Sequence, residues 1–367
     1  MVMGDARITD DGLTELRKRL GIKLRRRPYN QEATRDTIRH FCYGIGDGNP
    51  LWLDATYAGK TRWGRILAPP SFLNSVDWAG ARWGGLAGVH GFHSGSDWQW
   101  FHPIRVGDSF TVWARLTDVI EKQSEFAGKT ILLVGETTYY NQRQEKVANV
   151  KAITFRAERR AGREKGKYAS IKAHVYSPEE IKAIEEAYEK EETRGANPRY
   201  WEDVKEGGEL TPVIKGPLTL TDQMAFGAGC LGGLAHGLAL KEFKKHPAWG
   251  WRDESGALQP MARVHENPER AREIGIPGHY DYGCQRISWL IHLMTNWQSD
   301  DGFLKKLDAQ LRRFNLIGDT TWCKGKVTRK YVENEEHLVE CDIWAENQRG
   351  ETTAPGHATV MLPSRAP

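Results

Sequence analysis

The chain has 367 residues, 39% of them hydrophobic and 27% charged, with a formal net charge of +4. That length accommodates two domains with ordinary cores, and the composition is globular rather than disordered or fibrous. No stretch is long and apolar enough to cross a bilayer, and the opening MVMGDARITDDGL has neither an apolar signal core nor a cleavage pattern. The expectation is a cytoplasmic protein without membrane contact.

Cys42, Cys230, Cys284, Cys323 and Cys341 are odd in number, widely spaced and form no C-x-x-C pair, which argues against disulfides and against a zinc site. The basic run from Arg17-Lys18-Arg19 to Arg25-Arg26-Arg27 has no interleaved aromatics to stack bases, so nucleic acid is not an expected partner. Its plain reading is a solvated face. Its functional reading is an electropositive approach for a phosphorylated ligand.

From Thr34 the chain reads TRDTIRHFCYGIGDGNPLW. Thr34 caps a short helix, Ile38, Phe41 and Cys42 share one of its faces, and the glycines at 44, 46 and 48 stop it. Asp47 and Asn49 are then presented from irregular backbone stiffened by Pro50. On their own, such residues are turn caps. Pro69 to Arg82 reads as a central apolar helix, followed by strand-like segments at 97–104, 109–120, 131–141 and 147–156. One helix followed by a run of strands is an α+β pattern with an antiparallel sheet.

The helix, the Gly-Asp-x-Asn-Pro break and the later Ala68-Pro69-Pro70-Ser71-Phe72 segment together resemble the MaoC-type hydratase/dehydratase signature and the N-terminal unit of its FAS1-like dehydratase branch. The resemblance implies a hotdog fold, an antiparallel sheet wrapped round a central helix. It also implies acid/base chemistry by an Asp and a His on an acyl thioester, with Asn in support. Trp52 stands where that family has His.

Residues 157–196 are dominated by charge, and Ser177, Pro178 and Glu180 form a capping box with Pro at the first helical position. This is a linker carrying one helix. Beyond it the chain repeats itself. Asn141-Gln142-Arg143-Gln144-Glu145 returns as Asn347-Gln348-Arg349-Gly350-Glu351 at an offset of 206 (347 − 141), and Phe101-x-x-Ile104 returns as Phe314-x-x-Ile317 at 213 (314 − 101). Pro69 and Pro277 differ by 208, whereas Phe41 and Phe226 differ by 185. A duplication accounts for this, with an insertion of a little over twenty residues between Gly233 and Ala262 that reads as a covering loop bearing Trp249 and Trp251. The expected organisation is a hotdog at 12–157, a linker at 158–197 and a second hotdog at 198–364 with its insertion near 234–262.

In the second copy, Val264-His265-Glu266-Asn267-Pro268 and the following Gly275-Ile276-Pro277-Gly278 resemble the family's His-containing run. The resemblance makes His265 the principal acid/base, since imidazole titrates nearest working pH. Gly232 aligns with Asp47, so the second copy lacks the acid. The resemblance also implies that amides at Gly278 and His279, with Tyr280 and Tyr282 nearby, bind the substrate carbonyl. Copy one offers prolines there, which lack an N–H. His90 and His93 are completions for the Asp47 site; Glu266, Asp281, His236 and Asp253 are completions for the His265 site. Gly227-Ala228-Gly229-Cys230-Leu231-Gly232 spells a dinucleotide fingerprint, but a capped helix precedes it rather than a strand, so it is rejected.

The resulting expectation is an α+β double hotdog that reversibly hydrates a 2-enoyl thioester. His265, Asp47 and Asn49 are its catalytic candidates, and coenzyme A is the thioester handle with no metal or redox cofactor. The chain is expected to form homo-oligomers. The alternative is a non-catalytic acyl-CoA-binding subunit within a hetero-complex.

Overall fold

The computed structural model describes residues 7–78, 83, 86, 89–124, 128–158, 171, 174–232, 234–247, 250–260 and 264–365. Its helices are α1 (Asp10–Arg17), α2 (Arg35–Ile45), α3 (Pro50–Leu53), α4 (Ala55–Lys60), α5 (Leu73–Val76), α6 (Pro178–Glu189), α7 (Leu220–Phe226), α8 (His236–Lys245), α9 (Pro268–Glu273) and α10 (Gly283–Gln298). The strands are β1 (Leu24–Arg26), β2 (Leu67–Ala68), β3 (His90–Trp100), β4 (Ile104–Arg105), β5 (Thr111–Ser124), β6 (Gly128–Tyr140), β7 (Lys146–Ala157), β8 (Glu209–Lys215), β9 (Gly250–Arg252), β10 (Leu258–Pro260), β11 (Phe303–Gln310), β12 (Thr321–Glu333), β13 (Glu336–Asn347) and β14 (Thr352–Met361). Among the described residues no helix is long and apolar enough to cross a membrane.

Ten strands form one antiparallel sheet in the order β1-β5-β6-β7-β3-β11-β14-β13-β12-β8, and it wraps α10. Every residue of α10 from Cys284 to Gln298 is buried, as a helix surrounded by protein on all sides must be. Two antiparallel meanders meet where β3 pairs with β11, and Asp97 lies opposite Asp308 at that junction. The protein is therefore an α+β double hotdog. Trp98 and Trp100 share one face of β3 and stack, with ring centroids 5.5 Å apart.

The two halves repeat in detail. Asn141 Oδ1 accepts from the amides of Arg143 and Glu145, each at 3.0 Å, and Asn347 Oδ1 does the same for Arg349 at 3.0 Å and Glu351 at 3.1 Å. Gln142 bonds Asp108 and the Ser109 amide, as Gln348 bonds Asp319 and the Thr320 amide. The register shift between His93 and Gly95 in β3 returns between Leu304 and Lys306 in β11, an offset of 211 (304 − 93). Residues N-terminal to α10 follow a different offset. Asp54 caps α4 as Asn267 caps α9, and Leu67 pairs with Arg105 as Tyr280 bridges Leu316, both at 213 (267 − 54; 280 − 67). Pro69 thus corresponds to Tyr282 and not to Pro277.

One expected element differs. The long helix over Pro69–Arg82 is a 3-10 turn at Pro70–Phe72 followed by the single-turn α5, and Asp77 is extended. The carbonyls of Ser75 and Val76, which a longer helix would use, accept from the amides of Asn30 and Tyr29 at 3.1 and 2.8 Å. Residues 79–82 lie outside the described residues.

The fingerprint glycines continue α7 as a π-turn at Gly227–Leu231. They serve packing, because a Cβ on Gly229 would meet the His40 carbonyl oxygen at 2.5 Å. Gly44 likewise lets α2 cross α7, where a Cβ would lie 2.8 Å from the Phe226 Cα. The inserted segment is α8 and the β9–β10 hairpin rather than a loop. The helix ends Gly46 (φ 63°) and Gly232 (φ 61°) match at an offset of 186, so reaching 213 takes 27 added residues (213 − 186). Trp251 of this insertion packs against the Arg270 guanidinium, 4.6 Å from the ring centroid, whereas Trp249 lies outside the described residues.

Candidate active site

His265 sits just before α9, whose N-cap Asn267 fixes the chain by accepting from the Arg270 amide at 3.0 Å. Its Nδ1–H donates to the Tyr280 carbonyl at 2.9 Å, so Nε2 carries the lone pair. The imidazole lies 3.9 Å from the Tyr282 ring and 4.5 Å from that of Tyr280, centroid to centroid. Burial pushes its pKa down to about 4, against the Tyr280 carbonyl bond, which favours the charged form. The ring is a neutral base at neutral pH.

Tyr282 is the N-cap of α10, so the amides lacking an intrahelical partner are those of the first turn, from Gly283 onward. Gly278 and His279 lie upstream of the helix, and the His279 carbonyl is engaged by the Ile317 amide at 3.0 Å. The expectation that this helix begins at Gly278 and His279 is corrected: it begins at Gly283. A neutral imidazole, two tyrosine rings and the positive end of a 16-residue helix thus converge at one place.

The same place in the first repeat is chemically different. The 213 offset puts Trp52 where His265 stands (265 − 52) and Pro70, with no N–H, where Gly283 stands (283 − 70). Trp52 Nε1 donates to Asp47 Oδ2 at 3.0 Å, and Asp47 Oδ1 accepts from the Asn49 amide at 3.0 Å. Asn49 Oδ1 caps Leu51 at 2.9 Å. Behind them, Lys215 donates to the Gly46 carbonyl at 2.8 Å and to His292 Nδ1 at 3.0 Å, which turns the Nε2–H of His292 toward Asp47 Oδ1, 3.4 Å away. Burial raises the Asp47 pKa to about 6, opposed by the Asn49 amide, Lys215 and Trp52. Burial also lowers Lys215, and burial with the adjacent Lys215 pushes His292 well down. The neighbouring cleft, lined by Trp52, Trp63, Pro70 and Trp100, encloses about 40 Å³. That is room for a few waters.

Asp47 and His265 therefore occupy different stations. Asp47 faces His292, about 15 Å along the α10 axis from Tyr282 at 1.5 Å per residue. Of the proposed completions, Asp281 is held by Arg286, with Nε to Oδ2 at 2.7 Å, and His236 is exposed. Asp253 caps the turn at Ser255 and Ala257. Glu266 lies near His265, with its Oε1 3.5 Å from the Tyr282 hydroxyl. His93, expected at the Asp47 site, packs instead on Gly283 of the second repeat: a Cβ there would be 2.9 Å from His93 Nδ1. Lys215 and His292 carry no local sequence signal, whereas Gly283 could have been found by carrying the Asp54–Asn267 offset forward to Pro70.

A sequence profile of the FAS1-like dehydratase domain region matches residues 20–150. A UPF0336 protein of Streptomyces coelicolor is 32% identical over 111 residues, 29% of this chain and 70% of that protein. A second from Thermobifida fusca is 26% identical over 141 residues, 37% of this chain and 90% of its own. Among solved structures, a MaoC-like dehydratase superposes with a TM-score of 0.66 at 15% identity, covering 95% of this chain and 99% of its own. A Mycobacterium tuberculosis protein described as having a double hotdog fold does so with 0.57 at 10%, covering 94% and 96%. The class is thus a double-hotdog protein whose first repeat matches the FAS1-like dehydratase domain region. The chain belongs to the family of the Streptomyces coelicolor UPF0336 protein, and its fold is that of the MaoC-like dehydratases.

Proposed function

We propose that this chain hydrates a 2-enoyl thioester, carried by coenzyme A, at the site in its second repeat. The observation behind this reading is the exchange of Trp52 and Pro70 in one repeat for His265 and Gly283 in the other, a base and an amide donor at matched positions. Water attacks C3 as His265 Nε2 takes one of its protons. The electron pair of the C2=C3 bond moves onto the thioester oxygen, where the Gly283 amide and the helix terminus stabilise the negative charge. The His265 imidazolium then delivers its proton to C2, so that H and OH have added across the double bond. The C–O bond forms as the C2=C3 π bond breaks, with no net change of oxidation state, and the protein supplies only proton transfer and hydrogen bonds, so the proposed chemistry calls for no metal or redox cofactor. Asp47 and Asn49 support the fold of the first repeat and stand outside the reacting centre.

The offset of 186 that matches Gly46 with Gly232 puts Gly233, and not Gly232 as the sequence alignment had it, in the place of Asp47. The absence of a carboxylate there favours a second reading, an acyl-CoA-binding subunit without turnover. Incubation of the purified chain with crotonyl-CoA and a longer 2-enoyl-CoA separates the two. Formation of 3-hydroxyacyl-CoA supports hydration. Tight binding of saturated acyl-CoA with no product supports the subunit.

A further inference from the structure

His93 belongs to the first repeat by sequence but packs on the second repeat's helix start. Its Nε2–H points at the Gly95 carbonyl, 3.1 Å away, and at Ser96 Oγ, 2.8 Å away, which leaves the lone pair on Nδ1. That nitrogen is buried and has no hydrogen-bond partner among the described residues. A buried acceptor without a donor costs free energy, so its persistence calls for a ligand or a water.

The duplication says which side of the sheet His93 serves. Its counterpart at the 211 offset is Leu304 (304 − 93), placed by the matching register shifts in β3 and β11. Leu304 lines the first-repeat cleft together with Pro70 and Trp52, whose counterparts are Gly283 and His265. Three apolar walls of one cleft thus correspond to an imidazole, an amide and a second imidazole in the other. Burial pushes the His93 pKa down to about 4, so Nδ1 remains an acceptor at neutral pH.

We propose that His93 is the second imidazole of the second-repeat site, its Nδ1 accepting a hydrogen bond from the attacking water and so replacing the missing carboxylate. The proposal rests on the hydration reading above. While His265 takes one water proton, the other O–H stays bonded to His93 and remains on the product hydroxyl, so His93 holds and aims the nucleophile without changing its own protonation. The catalytic constellation is then shared between the repeats, and neither half carries it alone.

Full-length His93→Leu places in the second cleft the side chain that the first already holds. His93→Asn keeps an acceptor oxygen near the Nδ1 position. On 2-enoyl-CoA, His93→Leu is expected to lower kcat by about 10²–10³-fold with KM nearly unchanged, and His93→Asn to recover at least about tenfold of that loss. A His93→Leu enzyme within about threefold of wild type, alongside an inactive His265→Asn enzyme, overturns the role of His93 and leaves the hydration reading standing. If the wild-type chain shows no turnover, the hydration reading fails by itself. The ring-nitrogen NMR signal of His93 with saturating butyryl-CoA then decides: a shift supports its place in the site, and an unmoved signal overturns it.

Discussion

Replacing His265 by Asn separates its chemistry from its structural role. The Asn Nδ2 lies where imidazole Nδ1 lies and retains a donor for the Tyr280 carbonyl, but nothing replaces Nε2. General acid/base groups contribute about 10²–10⁴-fold, or about 2.7–5.5 kcal/mol of barrier at 1.36 kcal/mol per decade. His265→Ala additionally loses one hydrogen bond, about 1 kcal/mol, and the contacts to two tyrosine rings, about 0.5–1.5 kcal/mol, so its stability loss should be about 1.5–2.5 kcal/mol. Steady-state hydration and urea unfolding of both variants should then show equal losses of kcat but unequal losses of stability. Because the base must be neutral and its pKa is pushed down to about 4, wild-type kcat/KM should fall only as pH drops through that value. An Asn variant retaining kcat within about threefold, or an acid limb near the ordinary histidine value, would refute the assignment.

Asp47→Asn should leave kcat per folded molecule within a few-fold, since Asp47 touches Trp52, Asn49 and His292 rather than the second-repeat site. Asp47→Ala should lower stability by about 1–3 kcal/mol in urea unfolding, because the buried Asn49 amide and Trp52 Nε1–H lose their acceptor, while Lys215 keeps Glu191, the larger of its nearby negative charges. The Asp47 carboxyl binds a proton more readily folded than unfolded, its pKa raised from 3.8 to about 6. Its destabilising contribution is full above pH 6 and is relieved as pH falls toward 3.8, and unfolding curves of Asp47→Asn should lack that component. Trp251→Ala removes the ring beneath Arg270, on the helix that follows His265, and should change the ratio of kcat/KM between short and long enoyl-CoA while the protein stays folded. An unchanged ratio would count against the insertion as a cover for that site. Asn141→Ala and Asn347→Ala, which remove matching hairpin bonds, should each cost about 1–3 kcal/mol and agree within about 1 kcal/mol in urea titrations.

Local rules with a chemical signature were legible in the sequence. Thr34 and Ser177 cap helices through side-chain oxygens three residues from their partners, and Asn141 and Asn347 close hairpins through bonds within five residues. The same residues exposed the repeat, because a turn that needs its own asparagine keeps it in both copies. The motif singled out His265 as a candidate, and Tyr280 and Tyr282, which pack against it, are close in the chain. The length of the first central helix was not legible. The carbonyls that would extend it are claimed by Tyr29 and Asn30, which lie far back in the sequence. Nor were the partners of Asp47: Lys215 and His292 reach it from β8 and α10, brought there by sheet closure around the helix. The place of His93 was decided the same way. A strand of one repeat runs beside a strand of the other, so a side chain within the first half faces the helix start of the second. Short-range capping and turn chemistry act between neighbours in sequence and can be read there, whereas burial and contact across the β3–β11 junction exist only once the chain has closed.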